Sequence, residues 1–222
     1  MSAVPDFAEL SEDWQQLWDN KTRFQRHDVS AEEFYPQRAG VLAEFGKVVC
    51  ISCGYFVENE EGRQFRLRSF FGDDEQVLLS DFAQVLKNHF DKKAFVLCAH
   101  NGKEFDFPYV ARRMVVHQIP LPSSLDIGGL KPWEVPHLDT LEMWKFGDRK
   151  NYTSIKLLTK LLDIPTPKDD IDGSQVGEVY WVEKNLERIV TYCEKDTVTV
   201  ARLYLRLSGN GKLNDEEIHF PD

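Results

Sequence analysis

No apolar run in the sequence approaches the roughly 18 residues that a membrane-spanning helix requires. The start, "MSAVPDFAEL", lacks both the basic residues and the apolar stretch of a secretory signal. The expected placement is therefore cytoplasmic, with no membrane association. Cysteine is scarce: Cys50, Cys53, Cys98 and Cys193 are scattered along the chain, which excludes a disulfide framework. "CISC" has the look of half a zinc site, but it lies within "KVVCISCGYF", which reads as a strand. Strand positions three apart face opposite sides, and no second Cys/His pair follows at a zinc spacing, so buried strand thiols are expected. Positive charge is also short. The 27 Lys and Arg against 37 Asp and Glu give a net charge of −10, which argues against a broad surface for coating nucleic acid. A small nuclease site is still allowed, because carboxylates clustered around metal ions also make a chain acidic.

A length of 222 residues suits one substantial core. Residues 5–37 are polar and aromatic, and Trp14, Leu17 and Trp18 stand at the spacing of a short amphipathic helix. "GKVVCISCGYFV" (46–57) reads as a strand, and "FRLRSF" (65–70) as its partner in a hairpin. "DEQVLLSDFAQVLKNHF" has helical periodicity behind an acidic start. "KAFVLCAH" (93–100) reads as a buried strand, and a helix is expected from Asp106 to His117. Residues 120–136, rich in Pro and Gly, form an irregular connection. "HLDTLEMWKF" reads as a further strand, "TSIKLLTKLLDI" as a helix and "PTPKDDIDGSQV" as a loop. "EKNLERIVTYCEKDTVTVARLYLRL" makes a long amphipathic helix. The alternation implies an α/β domain with a mixed sheet.

Two places carry candidate chemistry. In "AHNGKEFDFPYVARRM", Asp106 precedes Phe107-Pro108, so it suits the cap of a helix, where its side chain would accept a backbone N–H. Taken alone it reads as that cap; a metal ligand is the other reading. In "YCEKD", Tyr192 and Asp196 are four apart and project from one helix face. Asp196 offers a metal-binding oxygen, and the Tyr192 hydroxyl could orient a water. The dense aspartates of "KDDIDGS" do not make an EF-hand. With Gly173 at its sixth position, Lys168 and Val179 fall where carboxylates are required. An Asp-rich turn leading into a helix is expected there, or a loop closing over the site.

Asn-x3-Phe-Asp after a buried strand, followed by Tyr-x3-Asp on a late helix, resembles the second and third motifs of the DEDD superfamily of 3′–5′ exonucleases. The tyrosine marks its DEDDy branch. "FDFPYVARR" is similar to the proofreading domain of family-B DNA polymerases, and the resemblance is nearest to the bacterial, stand-alone, PolB-like 3′–5′ exonucleases. It extends over about residues 40–207, taking in "FGKVVCISCGYF", "HLDTLEMWKF", "YTSIKLL" and "YCEKDTVTVARL".

This resemblance implies a ribonuclease H-like mixed sheet flanked by helices, and phosphodiester hydrolysis with two Mg2+ or Mn2+ ions. Asp106 and Asp196 would be metal ligands, and Tyr192 would position the attacking water. Asn101 and Phe105 would lie beside the terminal nucleotide, and Lys156 would contact phosphate. The expected substrate is single-stranded nucleic acid or its 3′ ends, DNA before RNA. The expected division is an N-terminal helical and loop segment (1–40), an exonuclease-like domain (41–208) and a C-terminal tail (209–222).

One part of the pattern is not found. The superfamily's first motif, Asp-x-Glu on an initial central strand, has no counterpart before "KVVCISC". Either the chain starts downstream of that strand or this member has lost it. The expectation is a sheet without its first strand and an impaired catalytic set. The alternative is a non-catalytic nucleic-acid-binding or interaction module on the same fold.

Overall fold

The computed structural model describes residues 1–4, 6–60, 62–90, 95–148, 150, 152–165 and 171–220. Strand β1 (Ser2–Ala3) pairs antiparallel with β2 (Gly46–Lys47). Between them, α1 (Glu12–Thr22) and α2 (Ala31–Arg38) close on a small core of Trp18, Tyr35 and Ala39. The Trp18 indole N–H donates to the Ala31 carbonyl at 2.8 Å, joining the two helices. Of the expected stripe on α1, only Trp18 is buried; Trp14 and Leu17 remain 46% and 55% exposed. The helix is short, and one large ring suffices to dock it.

The predicted hairpin is present and long. Strand β3 (Cys50–Asn59) runs antiparallel to β4 (Gly62–Phe71), in register from Cys50↔Phe71 to Asn59↔Gly62. Segment 209–220 returns along β4, where β7 (Ile218–His219) adds a parallel pair through Phe65↔Ile218. Helix α3 (Glu75–Val85), continued by a π-turn to Phe90, buries Leu78, Leu79 and Phe82 in one core with Phe70. Helix α4 (Asp106–Val116) joins that core through Phe107, Tyr109 and Met114. Beneath it, the buried Glu75 carboxylate accepts from Arg113 Nε at 2.9 Å, Arg113 Nη2 at 2.5 Å and the Val48 N–H at 2.6 Å. His117 Nε2 lies 2.8 Å from the same carboxylate, so a charged and satisfied node fixes α4 to α3 and to the start of the hairpin.

Strand content is lower than the sequence suggests on the other side. Among the described residues of the 93–100 run (95–100), only β5 (Cys98–Ala99) is a strand, pairing parallel with β6 (Leu138–Asp139). Phe95 and Val96 are about half exposed, so this segment is not the buried strand its apolar composition implies. "HLDTLEMWKF" is a strand only for its Leu138–Asp139 pair. The Asp139 side chain then caps α5 (Thr140–Lys145) by accepting the Leu141 N–H at 2.9 Å. A cap at that point converts an apparent strand into a helix. Helices α6 (Ile155–Leu161) and α7 (Val176–Trp181) follow, the latter entered from the Asp-rich turn as expected.

Helix α8 (Leu186–Ser208) is the long amphipathic element that periodicity predicts. Val198, Ala201 and Leu205 pack with Phe65 and Leu67 of the hairpin. Thr197 Oγ1 donates to the Ser52 carbonyl at 3.1 Å, and Ser69 Oγ donates to Glu194 at 2.8 Å. The architecture is thus mixed α/β, with helices around three small sheets among the described residues. Among the described residues, no strand is hydrogen-bonded between β3 and β5. No described helix is long and apolar enough to cross a membrane.

Candidate active site

The site begins at the C-terminal ends of β5 and β6, where the chain turns into α4. His100 is clamped first: its Nδ1 lies 3.0 Å from Thr140 Oγ1 and its Nε2 3.2 Å from the Thr153 carbonyl. Burial lowers its pKa, with Lys145 adding to the effect and the Thr153 carbonyl and Asp139 opposing it. Asn101 follows in the left-handed region at φ 62°, a conformation that Asn tolerates better than most residues. The turn closes through Phe105 N–H to the Asn101 carbonyl at 3.1 Å and Phe107 N–H to the Gly102 carbonyl at 3.0 Å.

Asp139 organises this loop from across the sheet. Its buried carboxylate accepts the Asn101 N–H at 2.8 Å and the Lys103 N–H at 3.1 Å, besides the Leu141 N–H at 2.9 Å. Sequence reasoning passed over Asp139, although an aspartate closing an apolar strand just before a helix was the available signal. Gly102 is the loop's tightest point. A Cβ there would overlap that of Ala99 and stand 3.2 Å from Phe107 Cζ and 3.4 Å from Asp106 Oδ2. Gly102→Ala is therefore expected to displace the loop at a cost of about 1–3 kcal/mol. Tm should drop by several degrees, and thermal unfolding beside the wild type measures it.

Asp106 is not the cap of α4. It is the first helical residue, and the cap position is held by Phe105, whose side chain accepts no N–H. The Asp106 carboxylate accepts its own backbone N–H, from inside the first turn rather than from the cap position that the capping reading expects. Burial pushes its pKa up to about 6, the main cause, and the Asp139 and Asp196 carboxylates push the same way. Its own N–H and the Met1 ammonium pull the other way without cancelling the rise.

Asp196 and Tyr192 reach the site from α8, both half-buried. A Cβ on Gly173 would stand 3.9 Å from the Tyr192 hydroxyl, so the turn before α7 lies beside that oxygen. The turn is built by Asp172 and Gln175: Ser174 N–H donates to Asp172 Oδ1 and Asp172 N–H to Gln175 Oε1, each at 2.9 Å. The preceding aspartates of "KDDIDGS" at 169–170 lie outside the described residues. Between Tyr192 and Asp196, the Cys193 thiol hydrogen-bonds that of Cys50, tying α8 to β3. Phe105 is half-buried, its ring 5.8 Å from that of Tyr109.

Asp106 and Asp196 are near enough for their charges to interact, and Asn101 and Phe105 lie on the loop leading into Asp106. Lys156, exposed at the start of α6, is brought beside Asp172, whose ionised form it favours. Among the described residues, no three His, Cys, Asp or Glu side chains form a ready metal cage.

Residues 41–219 match the family described as "Predicted 3'-5' exonuclease related to the exonuclease domain of PolB". The chain belongs to this family. Membership in this PolB-like exonuclease family accords with the mixed α/β architecture, which is ribonuclease H-like. A DNA polymerase from Pyrococcus glycovorans is 23% identical over 135 residues, which are 55% of this chain and 17% of the polymerase. The chain therefore spans less than a fifth of that relative.

Proposed function

We propose that this PolB-like exonuclease chain is a DEDDy-type, metal-dependent 3′–5′ exonuclease. Its substrate is the 3′ end of single-stranded nucleic acid, DNA in preference to RNA. The observation that carries the reading is the half-buried Asp106 carboxylate, which does not hold the cap position of its helix and whose charge is disfavoured by burial and by the Asp139 and Asp196 carboxylates. Two like charges in a desolvated place are unfavourable alone, and a cation relieves both costs.

The donor set fits Mg2+ or Mn2+, since magnesium commonly takes one or two protein carboxylates and completes its shell with water and phosphate. Asp106 and Asp196 suffice for one such ion. The two-metal arrangement implied by the superfamily resemblance also draws on the Asp-x-Glu carboxylates, which are not found before β3. When bound, the ions would activate a water and neutralise charge developing on the phosphate. The Tyr192 hydroxyl orients that water toward the terminal phosphorus. The water oxygen forms a bond to phosphorus as the P–O3′ bond breaks, releasing a nucleoside 5′-monophosphate and a shortened strand with a free 3′-hydroxyl. Asn101 and Phe105 hold the terminal nucleotide, and Lys156 contacts phosphate. Digestion of 5′-labelled single-stranded DNA with Mn2+ tests this: a ladder shortening from the 3′ end is expected, and an intact strand at every metal concentration would refute it.

Proton and metal compete for Asp106. With its carboxyl titrating at about 6, Mn2+ affinity should weaken toward tenfold per pH unit below that value and level off above it. Calorimetric titrations from pH 5 to 8 measure this. The sign for the metal-free protein is opposite to that of an ion-paired carboxylate. A raised folded-state pKa means that folding takes up a proton between about 4 and 6. The Asp106 contribution to stability therefore improves as pH falls through that window, and Asp106→Asn should abolish the dependence.

The lack of a three-donor cage among the described residues favours a second reading, strand binding without cleavage. Salt-sensitive DNA binding that a chelator leaves unchanged, with no ladder, would establish it.

A further inference from the structure

The segment between Asp139 and α8 carries features that cleavage does not use. From Thr140 to Leu162, Lys145, Arg149, Lys150, Lys156 and Lys160 stand against only Glu142 and Asp148. That local surplus of positive charge lies within a chain of net charge −10. Two aromatic rings stand out from the same segment, with Phe146 87% exposed and Tyr152 67% exposed. Phe146 ends α5 in the left-handed region, at φ 45° and ψ 37°. That conformation is strained for a bulky residue, and glycine usually fills it at helix ends. An exposed ring in a strained position contributes little to the fold.

Both rings are tied to the candidate site. Helix α5 starts at Asp139, which grips the Asn101 loop, and its six residues span about 9 Å before Phe146. Tyr152 precedes Thr153, whose carbonyl lies 3.2 Å from His100 Nε2, and His100 adjoins Asn101. The lysines adjoin the rings along the chain: Lys145 ends α5 just before Phe146, and Lys156 stands in the first turn of α6, three residues after Thr153.

We propose that Phe146 and Tyr152, with Lys145 and Lys156, form a stacking track for the single strand of nucleic acid whose 3′ end enters the Asp106–Asp196 site. The proposal rests on the exonuclease reading and adds where the upstream bases lie. Exposed rings accept any base, because every base offers a π-face, and the lysines neutralise passing phosphates. The acidic remainder of the surface repels the strand and confines it to this strip. A duplex, whose bases are already stacked, cannot use the rings. An acidic protein segment would need the lysines but not both rings.

Fluorescence anisotropy of a labelled 12-nucleotide oligothymidylate, in chelator so that metal plays no part, tests the track. Phe146→Gly with Tyr152→Ala should weaken binding roughly tenfold per ring lost. Lys145→Gln with Lys156→Gln should flatten the slope of log affinity against log salt by about 1.4. Tyr152→Phe should retain affinity. Phe146→Gly alone should raise Tm by about 2 °C while weakening binding, because glycine relieves the backbone strain. Undiminished affinity in the double ring variant would overturn the proposal. So would polyglutamate displacing the strand from wild type and ring variant alike, which would indicate an acidic protein ligand. Oligouridylate in parallel shows whether the track distinguishes RNA from DNA. Cleavage of the p-nitrophenyl ester of thymidine 5′-monophosphate by the wild-type chain with Mn2+ reports the carboxylate site separately, since this ester has no upstream bases. Ester cleavage beside ring-independent strand binding would remove the track alone. Ring-dependent binding with no cleavage of ester or strand would remove the exonuclease reading and leave the track standing.

Discussion

Asp196→Ala is expected to cut Mn2+-dependent shortening of single-stranded DNA by roughly a thousandfold or more. A metal-held phosphate contributes several kcal/mol of transition-state stabilisation, and each 1.36 kcal/mol is a factor of ten. The fold should survive. Helix α8 stays docked through Val198, Ala201 and Leu205, the Thr197 bond to the Ser52 carbonyl and the Glu194 bond to Ser69. The substitution also removes one of the like charges facing Asp106. The Asp106 carboxyl should therefore titrate below its present value of about 6, while staying above the ordinary range because burial is the larger cause. A labelled-strand assay, thermal unfolding and an NMR titration of Asp106 together separate loss of a ligand from loss of structure. An undiminished ladder would show that hydrolysis does not depend on this carboxylate.

Asp139→Asn carries the largest expected loss of stability. The carboxylate accepts three backbone N–H groups, two from the loop that delivers Asn101 and one from α5. An amide cannot replace it in either orientation. With its oxygen toward Asn101 and Leu141, its NH2 group faces the Lys103 N–H, donor against donor. Flipped, it opposes two donors instead of one. A charge-assisted bond contributes about 1.5–3 kcal/mol, and a buried donor left unpaired adds its own desolvation cost. About 2–4 kcal/mol of destabilisation is expected, or roughly 5–15 °C in Tm. Nuclease activity measured well below the new Tm should still be reduced, because the loop that positions Asn101 and Phe105 has lost its anchor. Wild-type activity in a destabilised variant would reduce Asp139 to a purely structural role.

Much of this was legible in the sequence, and the reasons for the rest are physical. Periodicity is informative where an element is long enough to repeat its pattern, so the β3–β4 hairpin, α4 and α8 could be read directly. β5 and β6 are two residues each, and so short a strand has no period to read. Capping chemistry misled twice. Asp106 has the sequence context of a cap but sits inside its helix, whereas Asp139 caps α5 in a stretch that reads as a strand. The helix-start context of Asp139 was a local signal, but its grip on the Asn101 loop was not, because those two partners are 36 and 38 residues away. The pairing of Asp106 with Asp196 emerged only through resemblance, since no spacing rule spans the elements between them.

That separation also matters while the protein is being made. Asp106 is synthesised ninety residues before Asp196. At about 5–20 residues per second, the ribosome reaches the second carboxylate roughly 5–18 s after the first. Until α8 has emerged and docked on the hairpin, the nascent chain holds only one of the two proposed ligands. On the proposed exonuclease reading, a half-built polypeptide would be harmless to nucleic acid beside it, and the activity would be switched on by completion of the fold.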